Sequence, residues 1–252
     1  TLFAGGESFF MPLMKENDFL PDLDAIPAKV FWKTKLMFIN YPNNPTSAVA
    51  PLEFFQEIIR IAQKYNIIVC HDASYTEIYY DQRPLSFMQV PGAKDVGIEF
   101  HSLSKTYNMT GWRIGFAVGN KEVLAGLGKV KTNLDSGVFQ AIQEAAIVAL
   151  ETGQDTLSGI RKTFQERRDI LCNGLTKLGM DLIKPKATFY VWVKVPSRFN
   201  SMSFVTHVLD KAGVLGTPGN GFGAAGEGYI RFALTAPSRR IDEAVKRISG
   251  IL

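Results

Sequence analysis

The sequence predicts an α/β fold: a mostly parallel sheet in a large domain, followed by a smaller C-terminal α+β domain. Three observations carry that expectation. Leu36 to Asn40, Pro51 to about Asn66 and Ile67 to Cys70 read as strand, helix and strand. This is the βαβ unit that predicts parallel pairing and a right-handed crossover. Chemically capable side chains fall just past the ends of apolar runs, where α/β sheets hold their ligands. From about Leu157 a long helix leads into alternating strands, which divides the chain into domains 1–156 and 157–252.

A chain of 252 residues, 46% hydrophobic and 21% charged, can bury a large core. No apolar run is long enough to span a bilayer. The net charge of +4 is spread over scattered basic residues rather than a stripe, which argues against nucleic acid as a partner. Cys70 and Cys172 form no disulfide framework, and Cys70, in an apolar strand, reads as a core residue. No signal peptide is visible and no metal site is expected, so the cytoplasm is the expected compartment. The opening Thr1-Leu2-Phe3-Ala4-Gly5-Gly6 reads as if the chain begins in mid-protein.

Residues 1–30 are irregular, with turn signals at Gly5-Gly6, Pro12, Pro21 and Pro27. After the first strand, Tyr41-Pro42-Asn43-Asn44-Pro45-Thr46 is either an ordinary Asn-Pro turn or a loop that holds Asn44 in a set pose. Pro51 opens a helix with Leu52, Phe55, Ile58, Ile59 and Ala62 on one face. The strand that follows ends in His71-Asp72, with Tyr75 just beyond. Asp72 can cap the next segment, or it can face a ligand.

Val96 to Phe100 reads as a buried strand ending at His101, and Ser102-Leu103-Ser104-Lys105 follows it. Arg113 then opens a second apolar run, Ile114 to Val118. A Ser-x-Ser-Lys run by itself is compatible with a solvated loop. A lysine near a carbonyl is a nucleophile once its charge is disfavoured, and a guanidinium suits a phosphate. Lysine, hydroxyls and arginine together fit an aldehyde cofactor that carries phosphate and binds as a Schiff base, which is pyridoxal phosphate. In that setting Asp72 faces the pyridine nitrogen and keeps it protonated, while Asn44 and Tyr75 bond the ring's phenolate oxygen.

Lys121 to Lys131, Val138 to Leu150 and Leu157 to Leu178 read as helices, the last connecting the sheet to the later region. Phe189 to Val195 alternates like a strand, Ser203 to Ala212 like a helix and Tyr229 to Leu234 like a strand, and Ile241 to Ile248 closes the chain as a helix. Gly221-Phe222-Gly223-Ala224-Ala225-Gly226 matches G-x-G-x-x-G, but it leads into a strand and no ribose-binding acid follows. It is expected to be a flexible loop beside an active site. Arg231 sits inside the strand from Tyr229. It either points to solvent or grips a substrate carboxylate with both arms of its fork.

In this order, Asn44, Asp72 with Tyr75, Ser102-x-Ser104-Lys105, Arg113 and Arg231 resemble the class I/II, fold-type I pyridoxal-phosphate aminotransferases over essentially the whole chain. The run His101 to Arg113 is most similar to the LL-diaminopimelate aminotransferase subgroup. The resemblance implies that Lys105 links the cofactor and shuttles the proton, and that Asp72 pairs with the pyridinium. It assigns Asn44 and Tyr75 to the phenolate oxygen, and Ser102, Ser104 and Arg113 to the phosphate. Arg231, helped by Asn44, takes the substrate's α-carboxylate.

The resemblance further implies transfer of an amino group between an amino acid and a 2-oxo acid, LL-2,6-diaminopimelate with 2-oxoglutarate in lysine biosynthesis, by a homodimer. An aspartate- or alanine-type aminotransferase, a C–S or β-lyase, and a non-catalytic cofactor-binding module are the alternatives. Two departures stand out. Ser47 occupies a position where the family usually has glycine, so its backbone must avoid a positive φ or bear strain. Family members also carry residues before the start of this chain, with a stacking aromatic and a phosphate loop, so the 252-residue segment alone is expected to be catalytically feeble.

Overall fold

A computed structural model describes residues 1–252. Residues 1–27 hold short 3-10 turns, at Leu2–Ala4 and Lys15–Asn17, and a single bridge between Leu13 and Pro21, before helix α1 (Ala28–Lys33) and strand β1 (Leu36–Asn40). Helix α2 (Leu52–Tyr65) follows, then β2 (Ile68–Asp72), the short α3 (Ala93–Val96) and β3 (Gly97–Ser102). After α4 (Leu103–Thr106) come β4 (Gly115–Gly119), α5 (Lys121–Leu134), α6 (Gln140–Glu151) and α7 (Gln154–Lys177). The chain finishes with β5 (Tyr190–Lys194), α8 (Ser201–Ala212), β6 (Thr217–Pro218), β7 (Tyr229–Ala233) and α9 (Ser238–Ser249).

Two sheets result. The first has the order β1-β2-β3-β4, with β1, β2 and β3 parallel and β4 antiparallel to β3. The second is antiparallel in the order β5-β7-β6. The expected α/β class with a mostly parallel first sheet is therefore what forms.

Alternation in β1 sends Met37 and Ile39 into a core with Phe55, Ile58, Ile59 and Ala62 of α2, while Leu36 and Phe38 face out. Leu52, expected on the buried face of α2, is exposed; Phe54 and Ile61 are buried as well, so the apolar arc is wider than a single stripe and starts two residues later. The helix stops at Asn66, whose left-handed backbone (φ 56) returns the chain to β2. A second core gathers Phe164, Leu171 and Leu175 of α7 with Val191, Val193, Phe204, Ile230 and Ile248, and Ile78 and Tyr80 join it from the segment after β2.

Cys70 and Cys172 are buried and free. Burial pushes the Cys70 thiol up and takes that of Cys172 to about 12, so both act as small apolar residues rather than nucleophiles. No helix is long and apolar enough to cross a membrane.

Candidate active site

The parallel register places Asn40 beside Asp72, and Asp72 beside Phe100, so β1, β2 and β3 end along one edge. Asn40 ties that edge to the following loop: its Nδ2 donates to the Asp72 carbonyl at 2.9 Å and its Oδ1 accepts the Asn44 N–H at 2.9 Å. Asn43 closes the loop by accepting from the Thr46 N–H and hydroxyl at 3.1 and 2.7 Å. Asn44 is thereby presented from a turn that its own neighbours hold.

Asp72 stands exposed at the end of β2, where Oδ1 accepts the Ser74 N–H (3.0 Å) and hydroxyl (2.6 Å). The capping role therefore forms, and it occupies one oxygen; Oδ2 accepts neither bond. Tyr75 is buried, with its hydroxyl 3.4 Å from Asn44 Nδ2 and 3.3 Å from the Tyr190 hydroxyl. Burial first, then the Tyr190 hydrogen bond, raises its pKa far above that of a free phenol. It thus stays a neutral donor over any working pH.

Ser102 caps the single turn of α4, taking the Ser104 N–H at 3.2 Å on its hydroxyl. Ser104 is buried. Lys105 forms no ion pair, and its Nζ lies 5.8 Å from the centre of the Tyr75 ring, within cation–π range. Arg113 precedes β4 rather than opening it, because the strand starts at Gly115. It is exposed, in the left-handed region at φ 54, and its Nη1 donates to the Thr110 carbonyl at 3.0 Å.

Arg231 does not point freely to solvent. Paired with Trp192 of β5 and Thr217 of β6, it reaches Asn44 Oδ1 with Nη1 at 2.6 Å and Thr217 Oγ1 with Nη2 at 3.4 Å. Its guanidinium carbon lies 4.1 Å from the Tyr190 ring centre and 4.7 Å from that of Phe222. Its Nε is buried with no partner, an arrangement native proteins avoid unless something else supplies the acceptor.

The glycine-rich run is not loose: it folds into turns at Gly219–Phe222 and Ala224–Gly226 that set Phe222 over Arg231. Gly219 and Gly226 cross so closely that a Cβ on either would lie about 2 Å from the other's carbonyl oxygen (1.9 and 2.1 Å). Tyr190, Phe222 and Thr217 were missed by sequence reasoning. An aromatic in a strand and a phenylalanine among glycines carry no signal that they flank an arginine.

On the other face of the first sheet lies a buried polar network. His71 Nδ1 is 2.9 Å from Glu99 Oε2, and His101 Nε2 is 2.7 Å from Glu99 Oε1. The Ser86 hydroxyl and the Phe87 N–H donate to the same carboxylate at 2.7 and 2.8 Å. Burial alone would raise the Glu99 pKa, but the bonds from His101, His71 and Ser86 outweigh it and hold the carboxyl well below the usual range. His71 and His101 immediately precede Asp72 and Ser102, so this network anchors both strand ends from beneath.

A lysine and a carboxylate at the ends of parallel strands, with an arginine of the second sheet whose buried nitrogen has no partner, give the α/β protein a polar site next to that arginine. A sequence profile for class I and II aminotransferases matches residues 3–248, and the chain belongs to that family.

Among its relatives, an LL-diaminopimelate aminotransferase from Moorella thermoacetica is 58% identical over all of this chain and 65% of its own length. Another LL-diaminopimelate aminotransferase, from Nitratidesulfovibrio vulgaris strain Hildenborough, is 57% identical over the same shares. A solved structure of apo-BacF from Bacillus subtilis superimposes with a TM-score of 0.93 at 38% identity, over 98% of this chain and 63% of that one. The chain thus spans about 65% of the length of the curated relatives it matches.

Proposed function

We propose that the protein is a pyridoxal-phosphate aminotransferase that moves the amino group of LL-2,6-diaminopimelate to 2-oxoglutarate, in the cytoplasm and as a homodimer. In this reading residues 1–156 hold the cofactor and residues 157–252 supply the substrate's carboxylate clamp. The observation that carries it is the Arg231 site: a guanidinium stacked on Tyr190 and Phe222, bonded to Asn44, and left with one buried nitrogen unpartnered. The names of relatives at 57% and 58% identity support the choice of amino donor.

Family membership makes pyridoxal phosphate the cofactor, and the residues present fit it. Lys105 has an unpaired amine beside an aromatic face, Asp72 has an oxygen outside its cap, and Tyr75 and Asn44 present donors side by side. Lys105 would hold the cofactor through its amine, Asp72 would face the ring nitrogen, and Asn44 and Tyr75 the phenolate oxygen. Ser102, Ser104 and Arg113 would take the phosphate. When bound, the cofactor supplies an electron sink for the carbanion left when the substrate's Cα loses its proton.

The chain's residues do the rest. Arg231 binds the α-carboxylate through its planar fork, with Asn44 Oδ1 fixing the fork's rotation. Lys105 Nζ takes the α-proton as general base. Asp72 keeps a positive charge at the ring nitrogen, and Tyr75, held neutral by burial, donates rather than competes for a proton.

The test is a panel of amino donors given to the holoenzyme with and without 2-oxoglutarate. Glutamate formed from LL-diaminopimelate, and only with the acceptor present, is the expected result. Keto acid and ammonia released without an acceptor would replace this reading with a lyase, and glutamate from aspartate alone would move the substrate.

A further inference from the structure

Two residues far apart in sequence carry the same unusual backbone and touch. Ser47 and Thr188 both have φ 63, the left-handed region that serine, and β-branched threonine still more, adopts only under constraint. Such residues gather where a structure holds a geometry that function needs. Ser47 is 4% exposed and Thr188 is fully buried.

Their hydroxyls lie 2.5 Å apart, and Ser47 Oγ donates to the Tyr190 carbonyl at 2.9 Å. With that proton committed, the Thr188 hydroxyl is the donor to Ser47. The circuit then closes, because the Tyr190 N–H donates to Thr188 Oγ1 at 3.1 Å. Both backbone polar groups of Tyr190 are thus captured through two side-chain hydroxyls. One of those hydroxyls belongs to the loop that carries Asn44.

The anchors are firm at each side. The Thr188 N–H donates to the Ile78 carbonyl at 2.8 Å, and its carbonyl accepts the Tyr80 hydroxyl. The Ser47 N–H donates to the Asn43 carbonyl at 2.8 Å. Tyr190 in turn supports Arg231 from below and bonds Tyr75.

We propose that Ser47 and Thr188 are positioning residues: their hydroxyl circuit clamps Tyr190 to the Asn44 loop and so sets the Arg231–Asn44 pair to receive a carboxylate. This rests on the reading of Arg231 as the carboxylate clamp. A merely structural serine would be poorly placed here, since glycine adopts φ 63 without strain. What serine adds at this position is the hydroxyl, and that hydroxyl's partners are Thr188 and Tyr190.

The substitution Ser47→Gly separates the two roles, because it removes the hydroxyl while relieving the backbone. In the holoenzyme the expected result is an unchanged or higher Tm together with about a tenfold rise in KM for every amino donor. A comparable loss in 2-oxoglutarate affinity is expected by calorimetry, with kcat changing less. The separate variant Thr188→Ser, which keeps both hydroxyls, should retain wild-type values. A KM that stays at the wild-type value, or one that rises only as Tm falls, would overturn the proposal.

Amide hydrogen exchange at Tyr190, read without substrate, tests the circuit separately. It should quicken in Ser47→Gly and stay slow in Thr188→Ser, and equal exchange in all three proteins would also overturn it. A wild-type enzyme that protects the Tyr190 amide but transfers no amino group would sink the aminotransferase reading and leave the circuit standing.

Discussion

Around Arg231 the neighbours are four side chains, Asn44, Tyr190, Thr217 and Phe222, the first of them 187 positions away, whereas around Arg113 the hydrogen-bond partner is a carbonyl of its own turn. Arg231 is stacked, bonded and half-buried before any ligand arrives; Arg113 is exposed and held only locally. The lesson is about where rigidity is placed. The end proposed to grip a carboxylate is preorganised by long-range contacts, so little ordering remains to be done on binding. The end proposed to grip phosphate relies on backbone turns and on the network beneath the sheet.

That contrast can be broken or sharpened by substitution. Lys105→Ala should lower transamination by about 10^4-fold with circular dichroism and Tm unchanged, since the proposed proton carrier is lost and no packing is. Retention of a tenth of the activity would remove Lys105 from its role. Asp72→Asn comes next: about 10^3-fold in kcat, or roughly 4 kcal/mol of electrostatic stabilisation at the ring nitrogen. Cofactor absorbance should show that binding survives. Near-normal kcat would leave Asp72 with its capping role alone.

Glu99→Gln probes the footing of the phosphate end. Removing the one buried carboxylate that two imidazoles and a hydroxyl address should cost about 3 kcal/mol in urea unfolding. The sign of its pH dependence follows from linkage. The native carboxyl is held below its ordinary value of 4.5, so its contribution is present above that pH and is lost as pH falls through it toward the lowered native value. Wild type should therefore weaken between about pH 5 and pH 3 more steeply than the variant. Parallel acid limbs would show that Glu99 is not ionised in the fold.

Arg231→Lys keeps the charge and loses the fork. A fall of about 30-fold in kcat/KM, roughly 2 kcal/mol, is expected for every amino donor alike. Loss for a single donor would mean that Arg231 reads a side chain instead. The smallest effect belongs to Arg113→Ala, about 1 kcal/mol in cofactor affinity by equilibrium dialysis, as befits an exposed charge. If it matched Arg231→Lys, the contrast between the two ends would fail.

What was readable beforehand follows the same division. The strand-end residues, Asp72, Ser102, Ser104 and Lys105, were placed by periodicity, because a parallel sheet aligns the ends of its strands. The choice between capping and ligand for Asp72 was not readable: the structure shows the cap, on Oδ1, and the ligand role is the one proposed for the other oxygen. Strand β6, with two residues, Thr217 and Pro218, has no period to detect. The partners of Arg231 were hidden from local pattern for a different reason: Asn44, 187 positions away, was given only by the family resemblance, and Ser47 lies 141 from Thr188. Contacts across such distances are decided by tertiary packing and leave no local pattern. Ser47 was noticed as a departure from glycine, and it takes the strained backbone rather than avoiding it.

The crossing of Gly219 and Gly226 has a consequence for how the protein can change. Both ends of that loop are welded, since no side chain fits at either glycine, while a Cβ at Gly221 would meet nothing within 4 Å. Residues 220–225 therefore form a cassette: apart from Gly223, whose φ of 113 favours glycine, its contents can be exchanged while its mouth stays shut. Phe222, the residue that reaches Arg231, sits inside the cassette. The surroundings of Arg231 can be altered there one substitution at a time, without first disturbing the strands on which Arg231 and Tyr190 sit.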